Sequence, residues 1–226
     1  MNPDIQIIRY QDCESSLWKN GGGSTKQLLI WPKGADLSNF DFRISIATIS
    51  SNGPFSLFNG IDRKLCILGG AGVRLNIKGN DIGQSEEIVL RPNDPPFCFS
   101  GETIIESMLL DKEVLDFNVM TKRKSYNSYL ERKDLNGKTT LSTFRTKIKT
   151  NQVQIQKKYL FIIFLSDRKI EINKKPIHLN KFDAILLQNP LDKDKIIDND
   201  AISVTINKTK NQTLFRIPPT IYRNNK

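Results

Sequence analysis

From Asp41 to Ile49 apolar and polar positions alternate. Phe42, Ile44 and Ile46 fall on one side of an extended chain and Arg43, Ser45 and Ala47 on the other, the period-two signature of a strand with two unlike faces. One face is apolar. The other joins a guanidinium, a hydroxyl and a small side chain, which suits a polar pocket floor better than a solvent face. Arg43 is therefore the residue to explain. A buried arginine is costly unless its donors meet acceptors, so either an internal carboxylate (Asp62, Asp116 or Glu102) or an anionic ligand is expected beside it.

The same texture runs along the whole chain. Short strand-like runs are expected near Ile5, Ile7 and Tyr10, then at Lys26–Trp31, Lys64–Leu68, Val73–Ile77, Glu87–Leu90, Phe97–Phe99, Ile104–Leu110 and Asp116–Met120. They continue at Tyr129–Arg132, Thr140–Lys147, Lys158–Leu165, Lys169–Ile172, Phe182–Leu187, Ala201–Ile206 and Thr213–Ile217. Asn52-Gly53-Pro54 reads as a tight turn, and Gly69-Gly70-Ala71-Gly72 as a hairpin connection. No interval has the length and period of a substantial helix, so the class is all-β, a sandwich or jelly roll. Leu90-Arg91-Pro92-Asn93-Asp94 and Leu179-Asn180-Lys181-Phe182-Asp183 both place an Asp four residues after a Leu, as if one turn were used twice. The alternation lapses at Lys122–Asn127, which divides the chain into halves at 1–121 and 122–226; the polar tail Tyr222–Lys226 is expected to fray.

Charge supports that division. Residues 1–121 carry 11 basic against 15 acidic side chains, a net −4, and residues 122–226 carry 23 against 9, a net +14. The basic residues are scattered lysines without an aromatic platform, so a solvated surface is expected rather than nucleic-acid binding. No apolar run approaches a membrane span, and no secretory signal is visible. Three cysteines without CxxC spacing argue against a disulfide framework or zinc site, and a cytoplasmic location is expected. The single histidine, His178, rules out a His-rich metal site, and no cofactor is expected.

Five stretches resemble the HutD/Ves family: Trp18-Lys19-Asn20-Gly21-Gly22-Gly23-Ser24-Thr25, Phe42-Arg43-Ile44-Ser45-Ile46-Ala47, Gly53-Pro54-Phe55-Ser56-Leu57-Phe58-Asn59-Gly60-Ile61-Asp62-Arg63, Phe97-Cys98-Phe99-Ser100-Gly101 and Asp116-Phe117-Asn118-Val119-Met120. They fall in order across residues 18–120; the second half is similar only in its strand texture. The resemblance implies a cupin-type fold (a double-stranded β-helix, or jelly roll) of two related halves, a bicupin. It also implies a cytoplasmic bacterial protein, with some members tied to histidine utilisation and others to cold or stress response. Glu102 departs from the Asp more often found there.

The chemistry that survives is recognition of a small polar molecule. Arg43 can fork onto a carboxylate, with Ser45 and Asn20 as further donors. The backbone N–H groups of Gly21–Gly23 are a candidate anion nest, and Trp18, Phe55, Phe97 and Phe99 are candidate apolar walls. Asp62 is either a site residue or a turn-fixing partner of Arg63, and either Asn118 and Met120 or Phe117 and Val119 line the cavity. The expectation is a metal-independent receptor for a small carboxylate, such as the histidine-breakdown intermediate formylglutamate, in a regulatory or accessory role. A homodimer is left open. The alternatives are a metal-independent hydrolase or isomerase using Asp62, Asp116 or Glu102 as base, and an interaction protein with a relic pocket.

Overall fold

The computed structural model describes residues 4–78, 85–133, 140–141, 155–172, 175–188, 196–197 and 201–209. In chain order the strands are β1 (Asp4–Ile8), β2 (Ser15–Leu17), β3 (Gly23–Trp31), β4 (Phe42–Ile49), β5 (Gly53–Pro54), β6 (Ile61–Gly69), β7 (Val73–Lys78), β8 (Ser85–Leu90), β9 (Phe97–Ser100) and β10 (Ile105–Leu109). There follow β11 (Val114–Lys122), β12 (Tyr126–Lys133), β13 (Thr140–Leu141), β14 (Ile155–Phe164), β15 (Arg168–Ile172), β16 (Lys175–Leu179), β17 (Ala184–Gln188), β18 (Ile196–Ile197) and β19 (Ala201–Thr209). A single 3-10 turn at Tyr10–Asp12 is the only helical element among the described residues. No described helix is long and apolar enough to cross a membrane. Beyond Leu141, the expected strand at 140–147 lies outside the described residues, as do the strand at 213–217 and the tail at 222–226.

The chain forms two compact units. One holds the described residues up to Ser15, Lys26–Leu29 and those from Ser125 onward; the other holds Ser16–Thr25 and Ile30–Lys124. The N-terminal strand belongs with the set from Ser125 onward. β1 pairs antiparallel with β17, Ile5 opposite Leu187 and Ile7 opposite Ile185. A pairing across so much intervening chain leaves no local trace in either strand.

The first unit is built on a sheet in the order β1-β17-β14-β19-β12. Alternate residues of β14, Leu160, Ile162 and Phe164, pack with Ile185, Leu187, Ile170 and Leu179 into one core. Asp183 is buried beside it, accepting hydrogen bonds from Arg9 Nη1 at 2.7 Å, the Tyr10 N–H at 2.9 Å and the Asn180 N–H at 3.0 Å.

The second unit holds β4, β11, β6 and β9 of a six-stranded sheet ordered β2-β3-β4-β11-β6-β9, and a four-stranded sheet, β5-β10-β7-β8. Their facing sides share a core of Ile49, Leu65, Ile67, Val73, Leu75, Leu90, Ile105 and Val114. That core fixes the inward phase of β4, β6 and β11. The glycine-rich stretch at 69–72 is not a hairpin connection, because β6 pairs with β11 and β9 while β7 pairs with β10 and β8. It carries the chain from one sheet to the other. Gly70 (φ +88) and Gly72 (φ +112) pass so close to the carbonyls of Glu113 and Leu90 that a Cβ would strike them. Gly53-Pro54 is likewise no turn: it is extended and paired with Ser107 and Glu106 of β10.

The repeated Leu-to-Asp spacing does correspond to one repeated geometry. In each turn the Asp side chain accepts the N–H three residues back, Arg91 to Asp94 at 2.7 Å and Asn180 to Asp183 at 3.0 Å. Each Asp N–H bonds back to the carbonyl of that same residue. Asn93 and Phe182, one residue before each Asp, both take positive φ, 76° and 71°.

Candidate functional site

The central strand of the site is β11, between β4 and β6. Met120 stands opposite Arg43 on one side and Arg63 on the other; Asn118 stands opposite Ser45 and Leu65; Asp116 stands opposite Ala47 and Ile67. Directly opposed residues share a face, so these three rows run along the inner face that carries Leu65 and Ile67 into the core. The other face, with Phe42, Ile44, Ile46, Phe117 and Val119, is buried and wholly apolar at those positions. The alternation read at Arg43–Ala47 therefore holds. The choice left open for β11 resolves as Asp116, Asn118 and Met120 inward.

Arg63 carries the strongest physical signal. Its side chain is buried (7% exposed), with the guanidinium 4.8 Å from the ring centre of Phe99, 5.3 Å from Phe55 and 5.7 Å from Phe58. Ring faces attract a cation, more so away from water. Nη1 donates to the Ser56 carbonyl at 3.2 Å, whereas Nε is buried without a hydrogen-bond partner. Burial pulls the guanidinium down to about 10, opposed by Asp116 and reinforced by Arg43. Arg43 is partly buried and also lowered, chiefly by desolvation; its Nη1 lies 4.0 Å from Met120 Sδ.

Asp116 is 3% exposed. Loss of solvent pushes its carboxyl up to about 7, against the pull of Arg63, a hydrogen bond from the Ala47 backbone and the pull of Arg43. Its Oδ1 and the Asn118 Oδ1 are both buried without partners. Of the three acids proposed beside Arg43, Asp116 is the one inside.

Asp62 and Glu102 are not part of this group. One step from Arg63 on β6, Asp62 projects to the other face and meets Arg123 Nε at 2.6 Å. Glu102 accepts from Arg123 Nη2 at 2.8 Å, from the Gly60 N–H at 2.6 Å and from Ser100 Oγ. Arg123 Nη2 also donates to the Ile61 carbonyl and to Ser100 Oγ. This cluster staples two of the sequence motifs together at the surface, and Arg123 holds the Glu102 carboxyl down at about 2. A depressed carboxylate contributes stability above its unfolded value near 4.5, and that contribution is lost as pH falls through about 2. Arg123→Ala should lower stability by about 1–2 kcal/mol at neutral pH, a figure reduced for solvent screening, and remove the acid-dependent loss between pH 4.5 and 2. Chemical denaturation at stepped pH measures both. Gly101 fixes the same corner, where a Cβ would strike the Phe58 and Ile61 carbonyls. Gly101→Ala should cost about 1–3 kcal/mol, read as a lowered urea midpoint at constant m.

The glycine-rich loop forms a separate small hollow. Trp18, Asn20, Gly22, Ser51, Phe55 and Ser107 line it. The anion nest expected at Gly21–Gly23 is corrected here: the Gly21 N–H donates to the Trp18 carbonyl at 2.9 Å and the Gly22 N–H to Asn20 Oδ1 at 3.0 Å. Asn20 thus serves its own loop. Trp18 donates from Nε1 to Thr25 Oγ1 at 2.8 Å, and its ring lies against Gly23. Phe55 joins this hollow to the Arg63 group, and Phe97 stacks on Phe99 at 5.2 Å between ring centres. His178 is exposed on β16.

Arg63 is the functional candidate that sequence reasoning passed over. A signal existed: Ile61, Arg63, Leu65 and Ile67 share one phase of an alternating strand, which places a guanidinium at an apolar position.

The HutD family model matches residues 10–204. An uncharacterized 21.2 kDa protein in the hutC 3' region of Pseudomonas putida is 36% identical over 127 residues, covering 56% of this chain and 63% of that protein. Protein Ves of Citrobacter koseri is 33% identical over 109 residues, covering 48% and 53%. The match thus spans between 53% and 63% of these relatives' length. Among solved structures, HutD from Pseudomonas fluorescens SBW25 superposes with a TM-score of 0.68 at 23% identity, covering 91% of this chain and 99% of that one. A conserved protein of unknown function from Pseudomonas aeruginosa PAO1 gives 0.67, also at 23% identity, covering 92% and 100%. The fold shared with these neighbours is all-β.

Proposed function

This chain belongs to the HutD family, and on that premise we propose that it is a receptor for a small carboxylate held on the inner face of the second unit by Arg63 and Arg43. The two halves are related cupin-like folds, consistent with the shared Asp turn, and the binding half is the one with the aromatic-walled arginine. The observation that carries the reading is Arg63, a guanidinium enclosed by three phenyl rings with its Nε unpartnered. A buried cation with a free donor is stabilised by an anion that accepts from it. The charge inventory agrees: two guanidinium groups face one carboxyl that is only about half ionised at pH 7, an excess of positive charge that a bound carboxylate reduces.

No metal is invoked, and the role is regulatory or accessory. The histidine-breakdown intermediate formylglutamate is the first ligand to try, on the strength of the HutD neighbour and the relative from the hutC region. In a thermal-shift panel of formate, glutamate and N-formylglutamate, at least one should raise the melting temperature saturably, and Arg63→Met should abolish that rise. No shift with any acid, or an equal shift in the variant, overturns the reading.

One observation favours a second reading, a metal-independent hydrolase or isomerase. A carboxyl at about 7 is suited to accept a proton at physiological pH. That reading requires turnover of a bound acid that Asp116→Asn eliminates while binding persists.

A further inference from the structure

The inner face offers more than a cation. Three of its buried polar atoms lack partners: Arg63 Nε, a donor, and Asn118 Oδ1 and Asp116 Oδ1, both acceptors. They are segregated along the sheet. The arginines belong to the Met120 row, Asn118 to the next and Asp116 to the one after. Rows two residues apart are separated by about 7 Å, a distance an arginine side chain can span, and both guanidinium groups are near enough to act on the Asp116 carboxyl. The Asp116 Oδ1 nevertheless accepts no hydrogen bond.

A plain carboxylate accepts hydrogen bonds and donates none. Bound to Arg63, it would leave the two buried oxygens of Asp116 and Asn118 unserved and set its own charge near that of Asp116. A buried acceptor left unpaired costs about 1–3 kcal/mol, and sites built around such acceptors reject ligands that lack the donor.

We propose that Asp116 and Asn118 form the acceptor pole of the carboxylate site, selecting ligands that carry an N–H or O–H donor next to the carboxylate, such as N-acyl amino acids or hydroxy acids, over plain alkanoates and oxo acids. The inference deepens the receptor reading and depends on it. Asp116 is the specificity-determining residue, Asn118 its neighbour one row nearer the arginines, and Ser45, buried opposite Asn118, completes the polar strip.

Matched ligand pairs test it. N-acetylglycine and 4-oxopentanoate differ only by N–H in place of CH2, and lactate and propionate by one hydroxyl. Calorimetric titration of the full chain at pH 8 should show the donor-bearing member of a pair binding at least about tenfold more tightly. In Asp116→Leu the ratio should fall to within about twofold. Asp116→Asn, which keeps a carbonyl oxygen at the same position, should retain the preference, and Asn118→Leu, the second variant should Asp116→Leu fail to fold, should reduce it. If both members of each pair bind equally to the natural protein, or the ratio survives in both leucine variants, the inference is overturned while the receptor reading stands. If no member of either pair binds, both fall.

Discussion

Asp116→Asn is expected to stabilise the protein at pH 8 by on the order of 4 kcal/mol and to flatten its stability between pH 4 and pH 8. Burial raises the folded-state value of Asp116 from 3.8 to about 7. Between those values the native state holds a proton that the unfolded chain has released, so stability falls as pH rises. The contribution is complete below 3.8 and lost once pH passes through about 7. Asparagine imitates the neutral acid at every pH and removes the slope. Glu102 works in the opposite direction below pH 4.5, so the natural protein should be most stable near pH 4 to 5. Urea midpoints across that range for both proteins provide the check. Parallel profiles would mean that Asp116 is solvated, and that the inner face is not the dry polar site described above.

The second large effect concerns Arg63. Arg63→Met keeps an unbranched side chain among Phe55, Phe58 and Phe99 and removes the charge and the unpartnered Nε. Loss of a charge-assisted contact in a water-poor site costs about 2–3 kcal/mol, so affinity for a bound carboxylate should drop about 30- to 150-fold. Arg63→Lys should not restore it, because an ammonium has neither the planar face that stacks on three rings nor an Nε at that position. Arg63→Met also withdraws the larger of the two positive influences on Asp116, whose titration should move higher still. Competition titrations and the pH profile of the variant test the two consequences separately; a lysine variant with natural affinity would exclude the fork geometry.

Much of this site could be read from one strand. Alternation at Phe42–Ala47 separated a polar from an apolar face, and both phases hold in the fold. The identity of the interior acid could not be read in the same way. It depends on how β11 registers between β4 and β6, and a slip of one residue would exchange Asp116 and Asn118 for Phe117 and Val119. Asp62 and Glu102 looked equivalent to Asp116 because nothing local announces Arg123, the cation that takes both of them at the surface. The glycines at 69–72 carry the composition of a hairpin; only the demands of two sheets decide that they form a crossing. The resemblance drawn from residues 18–120 was narrower than the family match, which extends over residues 10–204. Short strands rich in Ile and Lys conceal their kinship because they share a pattern with many β proteins.

The central claim concerns the Nε of Arg63, and a crystal structure of the chain grown with N-formylglutamate tests it most directly. The account predicts a ligand carboxylate within hydrogen-bond distance of that nitrogen, among the rings of Phe55, Phe58 and Phe99, with its N–H directed toward Asp116 or Asn118. The contradicting result is a ligand seated elsewhere, for instance in the hollow beside Trp18 and Asn20, with the Arg63 side chain making the same contacts as without it.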